Sequence, residues 1–212
     1  MKNNIIFFRH LGVEEWSTTF KKMNDFTKSR NCYTSDEIWF VEHYPIFTTG
    51  SLESQKNIFS NNVPVIQTNR GGKITYHGPG QQILYFLIDL HRRKINIREL
   101  INILHVIVMK TLSNFSIVSY VKKKEPGVYA HDKKICSLGL RISKGCTLHG
   151  LALNVDMDLT PFNFINPCGN KNIKMTQIKD FYLNVKIIDV CIFLTQNISK
   201  YLKSHMIQSC KK

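Results

Sequence analysis

The stretch KICSLGLRISKGCTLHGLALNV, residues 134–155, contains two apolar runs of strand length separated by a short polar connection. The runs cover residues 134–142 and 147–155, and the four residues between them include Gly145. A connection of this length and composition is typical of a hairpin, so the stretch predicts two adjacent antiparallel strands. Because no helix separates them, the stretch disfavours a doubly wound parallel sheet and indicates an α+β fold.

Apolar side chains outside this hairpin follow either a helical or a strand period. Spacings of three and four predict helices that run from Val13 to Phe26, across residues 97–115, and from Ile187 to Leu202. Short apolar runs predict further strands at residues 38–41, 46–48, 63–68, 83–88, 117–121 and 127–130. We therefore expect one α+β domain over residues 1–212, with a mixed, largely antiparallel sheet flanked by helices.

The composition is that of a soluble globular protein, with 43% hydrophobic and 21% charged residues in a chain of 212. The longest apolar runs are far shorter than a membrane span. Residues 1–8 hold too short an apolar cluster for a secretory signal, so we expect a cytoplasmic location. The six cysteines form no CxxC pair and are expected to be free thiols.

The net charge of +14, from 29 basic and 15 acidic residues, has two explanations. An anionic partner, either a nucleic acid or an acidic protein, would be attracted by this charge. Compositional drift in a chain rich in Lys, Asn and Ile would produce the same excess without any function. The basic residues are scattered, and they are not interleaved with aromatic residues as in single-strand binders.

The sequence RGGKITYHGPGQ, residues 70–81, contains four glycines and one proline. A main chain of this composition can approach a ligand closely. The spacing matches neither the phosphate loop GxxxxGK[ST] nor the dinucleotide fingerprint GxGxxG. Because Arg70, Tyr76 and His77 add a cation, an aromatic face and an imidazole, the stretch predicts a binding loop.

Cys168 lies in the turn sequence Asn166-Pro167-Cys168-Gly169, which is suited to presenting a sulfur atom in a cleft. A neighbouring lysine would favour the nucleophilic thiolate. Lys134 is a candidate, although a lysine at the start of a strand is more often a snorkelling side chain. If the two side chains meet, the sequence predicts acyl transfer through a thioester.

His149 interrupts an apolar strand next to Gly150, which predicts a bulge or a ligand-facing gap, and such a histidine is more often structural than catalytic. Cys136, Cys146, His149 and Cys168 lack the paired short intervals of structural zinc sites, so no metal is expected.

Five sequence blocks, in order over residues 36–180, resemble the lipoyl (octanoyl) transferase family. RGGKITYHGPGQ resembles its signature RGGxxTxHGPGQ, and Glu42-His43-Tyr44-Pro45 with Thr49-Gly50 resembles its EHxPxxTxG block. KKICSLGLRI, HGLALNV and INPCG, at residues 133–142, 149–155 and 165–169, resemble its later blocks.

The resemblance implies the α+β fold of lipoate- and biotin-protein ligases and an acyltransferase that needs no cofactor or metal. Cys168 would take the octanoyl group from octanoyl acyl carrier protein, and Lys134 would lower the pKa of its thiol. Acceptor lysines would lie on lipoyl domains of 2-oxoacid dehydrogenase complexes and on the glycine cleavage H protein, in the first step of endogenous protein lipoylation; no nucleic acid or membrane partner is implied. The family's substrate-binding segments fall on Arg70, Gly71, Gly72, Lys73, Ile74, Thr75, Tyr76 and His77, on Ser137, Leu138 and Gly139, and on Gly150, Leu151 and Ala152.

Two other functions are compatible with parts of the sequence. An ATP-dependent lipoate- or biotin-protein ligase would have the same fold but would not require a cysteine nucleophile. A basic nucleic-acid-binding domain would explain the charge, but it would leave the glycine-rich loop and the NPCG turn without a role.

Overall fold

Eleven strands and four α-helices are formed by the residues that the computed structural model describes, which are 5–51, 63–123, 126–166, 173–202 and, for the backbone, 206–209. The strands, in chain order, are β1 Ile6–Glu14, β2 Asp36–His43, β3 Ile46–Thr49, β4 Val65–Gln67, β5 Thr75–His77, β6 Gln81–Leu87, β7 Tyr120–Val121, β8 Val128–Ala130, β9 Lys133–Ser143, β10 Cys146–Asn154 and β11 Met206–Ser209. The helices are α1 Trp16–Ser29, α2 Leu90–Arg93, α3 Ile97–Ser113 and α4 Ile187–Tyr201.

Eight of these strands form one mixed sheet in the order β11-β1-β2-β6-β10-β9-β8-β7. The first two pairings are parallel and the remaining five are antiparallel. A second, three-stranded sheet has the order β4-β3-β5. The predicted α+β fold with a mixed, largely antiparallel sheet is therefore confirmed, including the hairpin of β9 and β10.

Helices cover both faces of the large sheet. The buried faces of α3 and α4 pack on one side in a cluster that includes Leu104, Ile107 and Leu194. On the other side, α1 packs through Met23 against a smaller cluster around Trp39 and Leu87. Amphipathic helices that bury one face in this way are what the spacings of three and four predict. Within the described parts of the chain, no helix combines the length and apolar character needed to cross a membrane.

The amino-terminal segment differs from the sequence prediction. The helical period that we traced from Val13 begins in the structure only at Trp16, since Val13 belongs to β1 and is 44% exposed. Strand β1 pairs in parallel with β2, with a shift in register between His10 and Val13 where Gly12 has a φ of +71°. The agreement between Val13 and the helical period was therefore coincidental.

A triply paired carboxylate fixes α2 to the start of β2. Asp36 is fully buried and accepts hydrogen bonds from Arg30 at 2.7 Å, from Arg93 at 2.6 Å and from Arg92. Arg30 also donates to the carbonyl of Leu87 at 2.8 Å, which ties the end of α1 to β6. The pairing of a buried charge in this way offsets the large penalty of removing it from water.

Candidate active site

A cavity of about 510 Å³ lies between the glycine-rich loop, strands β6, β9 and β10, and the start of α3. Its volume falls in the range of about 300–1,000 Å³ that is usual for small-molecule sites. Apolar side chains dominate the lining: Ile74, Ile83, Ile97, Ile101, Pro126, Leu138, Leu140, Leu151 and Ala152. Polar side chains also reach it: Arg70, Lys73, Thr75, His77, Tyr85, Lys134 and Ser137. The cavity can therefore hold an apolar chain beside a polar group.

All of the predicted substrate-binding residues except Tyr76 line this cavity. Residues 75–77 form strand β5 rather than part of a loop, so their side chains alternate. Thr75 and His77 face the cavity, whereas the ring of Tyr76 packs at 5.3 Å from that of Phe47 and 5.6 Å from that of Phe162. The structure thus places Tyr76 in the core of the small sheet.

Glycines bring the loop into contact with β9. The N–H of Gly71 donates to the carbonyl of Leu140 at 3.0 Å. A Cβ on Gly139 would lie only 3.0 Å from the carbonyl oxygen of Gly71, so a side chain there would push the loop away from the strand. Gly150 lies opposite Gly139 in the ladder, and a Cβ on it would be 2.1 Å from the carbonyl oxygen of Leu84.

The edge of β9 opens towards the cavity between β8 and the loop. Strand β8 pairs with β9 as far as Cys136, and the next main-chain hydrogen bond on that side, among the described residues, is accepted by the carbonyl of Leu140. Alternate residues of a strand direct their peptide groups to the same side, so the N–H of Leu138 points into this gap. The ladder therefore explains why Ser137, Leu138 and Gly139 line the cavity.

Lys134 is buried, with only 2% of its surface exposed, so the snorkelling interpretation is wrong. Its Nζ lies 5.9 Å from the centre of the Tyr129 ring, at a distance where cation–π attraction acts. Its main chain is held by two hydrogen bonds to one segment, because its N–H donates to the carbonyl of Lys174 at 2.8 Å and its carbonyl accepts from the N–H of Thr176 at 2.9 Å. The side chain reaches the same cavity as the glycine-rich loop.

The predicted nucleophile Cys168 lies outside the described residues, together with Pro167 and Gly169. Three other thiols are poorly suited to that role. Burial raises the pKa of Cys136 and that of Cys191 to about 12, and it also raises the pKa of Cys146. Across the described ranges, no three His, Cys, Asp or Glu side chains are close enough to hold a metal ion.

Three buried histidines lie at the cavity or against its lining residue Tyr85, and burial is the main cause of their low pKa values. The pKa is lowered to about 4 for His43 and to about 3 for His77 and His149. His43 is held between the carbonyl of Glu14 at 2.9 Å and the hydroxyl of Tyr85 at 2.8 Å. All three side chains are neutral at physiological pH.

His149 has a φ of +62°, which turns its ring towards α1, where it stacks at 5.8 Å from the ring of Phe20. Its Nε2 lies 2.7 Å from Oδ1 of Asn69. These contacts are those of a structural, hydrogen-bonded histidine. The positive φ of His149 within β10 accounts for the polar residue that interrupts this apolar strand in the sequence.

Several residues around the cavity escaped sequence reasoning. Gln81 and Asn154 are each 1% exposed, and they lie at the ends of two paired, fully buried strands. A polar side chain in such a strand is itself a signal, because a buried amide requires hydrogen-bond partners. Gly127 and Tyr129 contact Lys134, but no feature of the sequence marked these two residues as part of the site.

Comparison with known proteins finds relatives by sequence. The family model for the lipoyl protein ligase A/B catalytic domain matches residues 16–199. An octanoyltransferase of Buchnera aphidicola subsp. Acyrthosiphon pisum is 68% identical over 210 residues, which cover 99% of this chain and all of the relative. An octanoyltransferase of Haemophilus influenzae is 51% identical over 181 residues, which cover 84% of this chain and 85% of the relative.

Solved structures show the same fold. A putative lipoate protein ligase from T. acidophilum with bound lipoic acid superposes with a TM-score of 0.79 at 15% identity, over 99% of this chain and 90% of that one. A biotin protein ligase from Aquifex aeolicus superposes with a TM-score of 0.59 at 16% identity, over 96% and 71% of the two chains. The expected likeness of the fold to lipoate- and biotin-protein ligases is confirmed.

Proposed function

The chain belongs to the lipoyl protein ligase A/B catalytic domain family, and from this membership and its cavity we propose how it transfers an octanoyl group. Octanoyl transfer itself is the activity of its full-length relatives. In our proposal the donor is octanoyl acyl carrier protein and the intermediate is a thioester on Cys168. The acceptors are lysines of lipoyl domains in 2-oxoacid dehydrogenase complexes and of the glycine cleavage H protein. All of these components would meet in the cytoplasm.

One observation carries the proposal: a buried lysine and a glycine-rich loop share a mostly apolar cavity. Leu138, Leu140 and Leu151 provide a surface for a hydrocarbon chain, whose burial is favourable by about 0.8 kcal/mol for each CH₂ group. Lys134 places a basic group at the same cavity. An acyl thioester has both an apolar tail and a reactive carbonyl, so it matches this combination.

In the first step, the thiolate of Cys168 would attack the carbonyl carbon of the donor thioester. A C–S bond to Cys168 forms, the C–S bond to the carrier breaks, and the carrier's thiolate takes a proton from the Lys134 ammonium. One thioester replaces another, so no ATP is consumed. The N–H groups of Leu138 and Gly72 are candidates for stabilising the oxyanion of the tetrahedral intermediate.

In the second step, the acceptor lysine would attack as a free amine, having lost its first proton to water. Lys134, now neutral, accepts the proton that the nitrogen loses as the amide forms. The C–S bond to Cys168 breaks at the same time. The step restores the Cys168 thiolate and the Lys134 ammonium, which returns the site to its starting state.

The chain path supports the pairing of Cys168 with Lys134. Cys168 is six residues before Lys174, whose carbonyl is bonded to the N–H of Lys134. Six extended residues span at most about 20 Å. On the other side, Cys168 is three residues after Ile165, which is buried in the same cluster as the cavity residue Ile74. Both flanking anchors are thus tied to residues that line the cavity, Lys134 and Ile74.

Intact mass spectrometry after incubation with octanoyl acyl carrier protein tests the proposal. Wild-type protein should gain one octanoyl group, and a lipoyl domain added afterwards should remove it. Cys168→Ala should gain none, whereas Cys32→Ala, which changes an exposed thiol, should behave like wild type. An adduct of unchanged yield on Cys168→Ala would overturn the assignment of the nucleophile.

A parallel reaction with free octanoate and ATP tests the donor. The proposal predicts transfer to the lipoyl domain from the carrier-bound octanoyl group without ATP. Transfer that requires the free acid and ATP would instead show a ligase, in which Cys168 has no covalent role.

A further inference from the structure

Six residues form a continuous hydrogen-bond chain that runs from the cavity to the main chain beside Lys134. Five of them are at least nine-tenths buried, and the sixth lines the cavity. In order from the cavity they are Arg70, Thr48, His77, Gln81, Asn154 and Thr176. We refer to this set as the buried hydrogen-bond chain.

The first half of the chain links the glycine-rich loop to β5. Nη2 of Arg70 donates to Oγ1 of Thr48 at 3.0 Å and to the carbonyl of the same residue at 2.6 Å. Oγ1 of Thr48 is 3.2 Å from Nε2 of His77. Nδ1 of His77 is 2.7 Å from Oε1 of Gln81. Both ring nitrogens of His77 are therefore engaged.

The second half crosses the large sheet. Nε2 of Gln81 donates to Oδ1 of Asn154 at 2.9 Å, and Nδ2 of Asn154 donates to the carbonyl of Thr176 at 2.9 Å. The N–H of Thr176 in turn donates to the carbonyl of Lys134 at 2.9 Å. The buried hydrogen-bond chain thus ends at Thr176, which is hydrogen-bonded to the main chain of Lys134.

The direction of the hydrogen bonds is fixed from the Thr176 end, and the contacts at the Arg70 end are compatible with it. Arg70 can only donate, so the Thr48 hydroxyl accepts from it and can donate its own proton to Nε2 of His77. With that donation, a neutral His77 carries its proton on Nδ1 and donates to Gln81.

Starting from the other end leads to the same assignment. The carbonyl of Thr176 can only accept, so Asn154 must turn its amide nitrogen towards it and its oxygen towards Gln81. Gln81 must therefore turn its own oxygen towards His77. Because that oxygen can only accept, a neutral His77 must carry its proton on Nδ1, which leaves Nε2 to accept from the Thr48 hydroxyl.

We propose that Thr48, Gln81 and Asn154 are positioning residues for octanoyl transfer. They hold Arg70 and the strand that carries Lys134 in one fixed arrangement. His77 serves as a neutral link of the same chain rather than as an acid or a base. This inference rests on the proposed function, because it assigns roles within the proposed active site.

The neutral state of His77 keeps the direction of the chain constant. Burial and the nearby His43 and Arg70 lower the pKa of His77 to about 3. Protonation would place a second donor against the Thr48 hydroxyl, beside the guanidinium of Arg70. The buried hydrogen-bond chain is therefore intact throughout the neutral range of pH.

Two neighbouring threonines provide a matched test on one strand. Thr48 and Thr49 are both fully buried in β3, but Oγ1 of Thr49 has no hydrogen-bond partner among the described residues. Thr48→Val should lower kcat/KM for octanoyl transfer about tenfold, since a hydrogen bond to a charged group is lost. Thr48→Ser and Thr49→Val should retain most of the wild-type value. Equal kcat/KM for Thr48→Val and Thr49→Val, each with an unchanged Tm, would overturn the proposal.

A double-mutant cycle shows whether two substitutions lower kcat/KM by breaking the same buried hydrogen-bond chain or by causing two independent structural defects. Thr48 and Asn154 lie on opposite sides of the central pair His77 and Gln81, and the cycle combines Thr48→Val with Asn154→Ser. We expect the double variant to be no more impaired than the worse single variant, because either change breaks the same chain. Thr49→Val combined with Asn154→Ser should give additive effects. Additivity in the first cycle contradicts a shared role.

The tautomer of His77 gives a readout that is independent of activity and of the variants' folding. Long-range ¹⁵N–¹H NMR of the labelled wild-type protein at pH 7 should show His77 neutral and protonated at Nδ1. A charged ring, or a proton on Nε2, would contradict the buried hydrogen-bond chain and overturn the proposal. If the wild-type protein formed no octanoyl adduct, the proposed function would fail, but this spectrum would still decide whether the chain exists.

Discussion

Gly127 lies directly against the side chain of Lys134. A Cβ built on Gly127 would be 2.5 Å from Cε and 3.2 Å from Nζ of Lys134, and 2.4 Å from the carbonyl oxygen of Cys136. Gly127 also has a φ of +131°, a conformation that residues with a side chain rarely adopt. The buried path of the lysine towards the cavity therefore depends on the absence of a side chain at this position.

Gly127→Ala should displace Lys134 and lower kcat/KM for octanoyl transfer at least tenfold. Its matched control is Gly12→Ala, which also has a positive φ, of +71°, but has nothing within 4 Å of the added Cβ. The control should lower the free energy of unfolding by about 1–2 kcal/mol through backbone strain and leave activity intact. Steady-state assays and urea unfolding of both variants provide the measurements. Full activity in Gly127→Ala would show that the lysine can follow another path.

Stability should fall as the pH is lowered below about 6.5. His43, His77 and His149 have pKa values lowered by burial to about 4, 3 and 3, against 6.5 in the unfolded chain. Between these values the unfolded state binds more protons than the folded state, so the free energy of unfolding decreases with decreasing pH. The contribution of the three histidines to the free energy of unfolding is fully present above pH 6.5. Each unit of pKa shift corresponds to about 1.4 kcal/mol.

Urea unfolding at pH 7.5 and at pH 5 measures this dependence. His149→Gln removes one of the three groups and should reduce the difference between the two pH values, whatever its effect on stability at pH 7.5. A wild-type stability that stays constant from pH 7.5 to pH 5 would falsify the assignment of the histidines as buried and neutral.

Thiol reactivity should separate Cys32 from Cys136 and Cys191. Cys32 is exposed, whereas burial raises the pKa of Cys136 and Cys191 to about 12. Because the thiolate is the reactive form, iodoacetamide at pH 7.5 should modify Cys32 and leave Cys136 and Cys191 unmodified in the folded protein. Peptide mapping by mass spectrometry gives the extent at each site. Equal modification of Cys32 and Cys136 under native conditions would contradict the burial of Cys136 in β9.

Removal of the Asp36 carboxylate charge should destabilise the fold strongly. Asp36→Asn leaves Arg30, Arg92 and Arg93 buried without their counter-charge, and breaking such a pairing typically costs about 3–5 kcal/mol. The control is Asp25→Asn, which breaks the exposed pair with Lys21 on α1 and should leave the free energy of unfolding nearly unchanged. Chemical denaturation of the two variants decides between these outcomes. Similar losses in both would indicate that solvent reaches the Asp36 cluster.

Much of the fold could be predicted from local patterns. Helix α3 is an example: its apolar period marked residues 97–115, and Asn96 and Glu99 begin it with a capping box. The hairpin of β9 and β10 was equally clear, because its register follows from a short connection between two apolar runs. Strands β1, β5 and β11 were missed. The first depends on parallel pairing with β2, and the second lies within a stretch whose glycines favoured a loop.

By itself, the sequence determined the family, the fold class and most of the residues around the cavity, because these follow from motif identity and local periodicity. Only the tertiary structure decided that Lys134 is buried, that Tyr76 faces away from the cavity, and that Gln81 and Asn154 link the loop to the lysine's strand. These outcomes depend on which residues meet across β5, β6, β9 and β10. Burial and hydrogen bonding are properties of such long-range contacts, so a reading of neighbouring residues alone does not contain them.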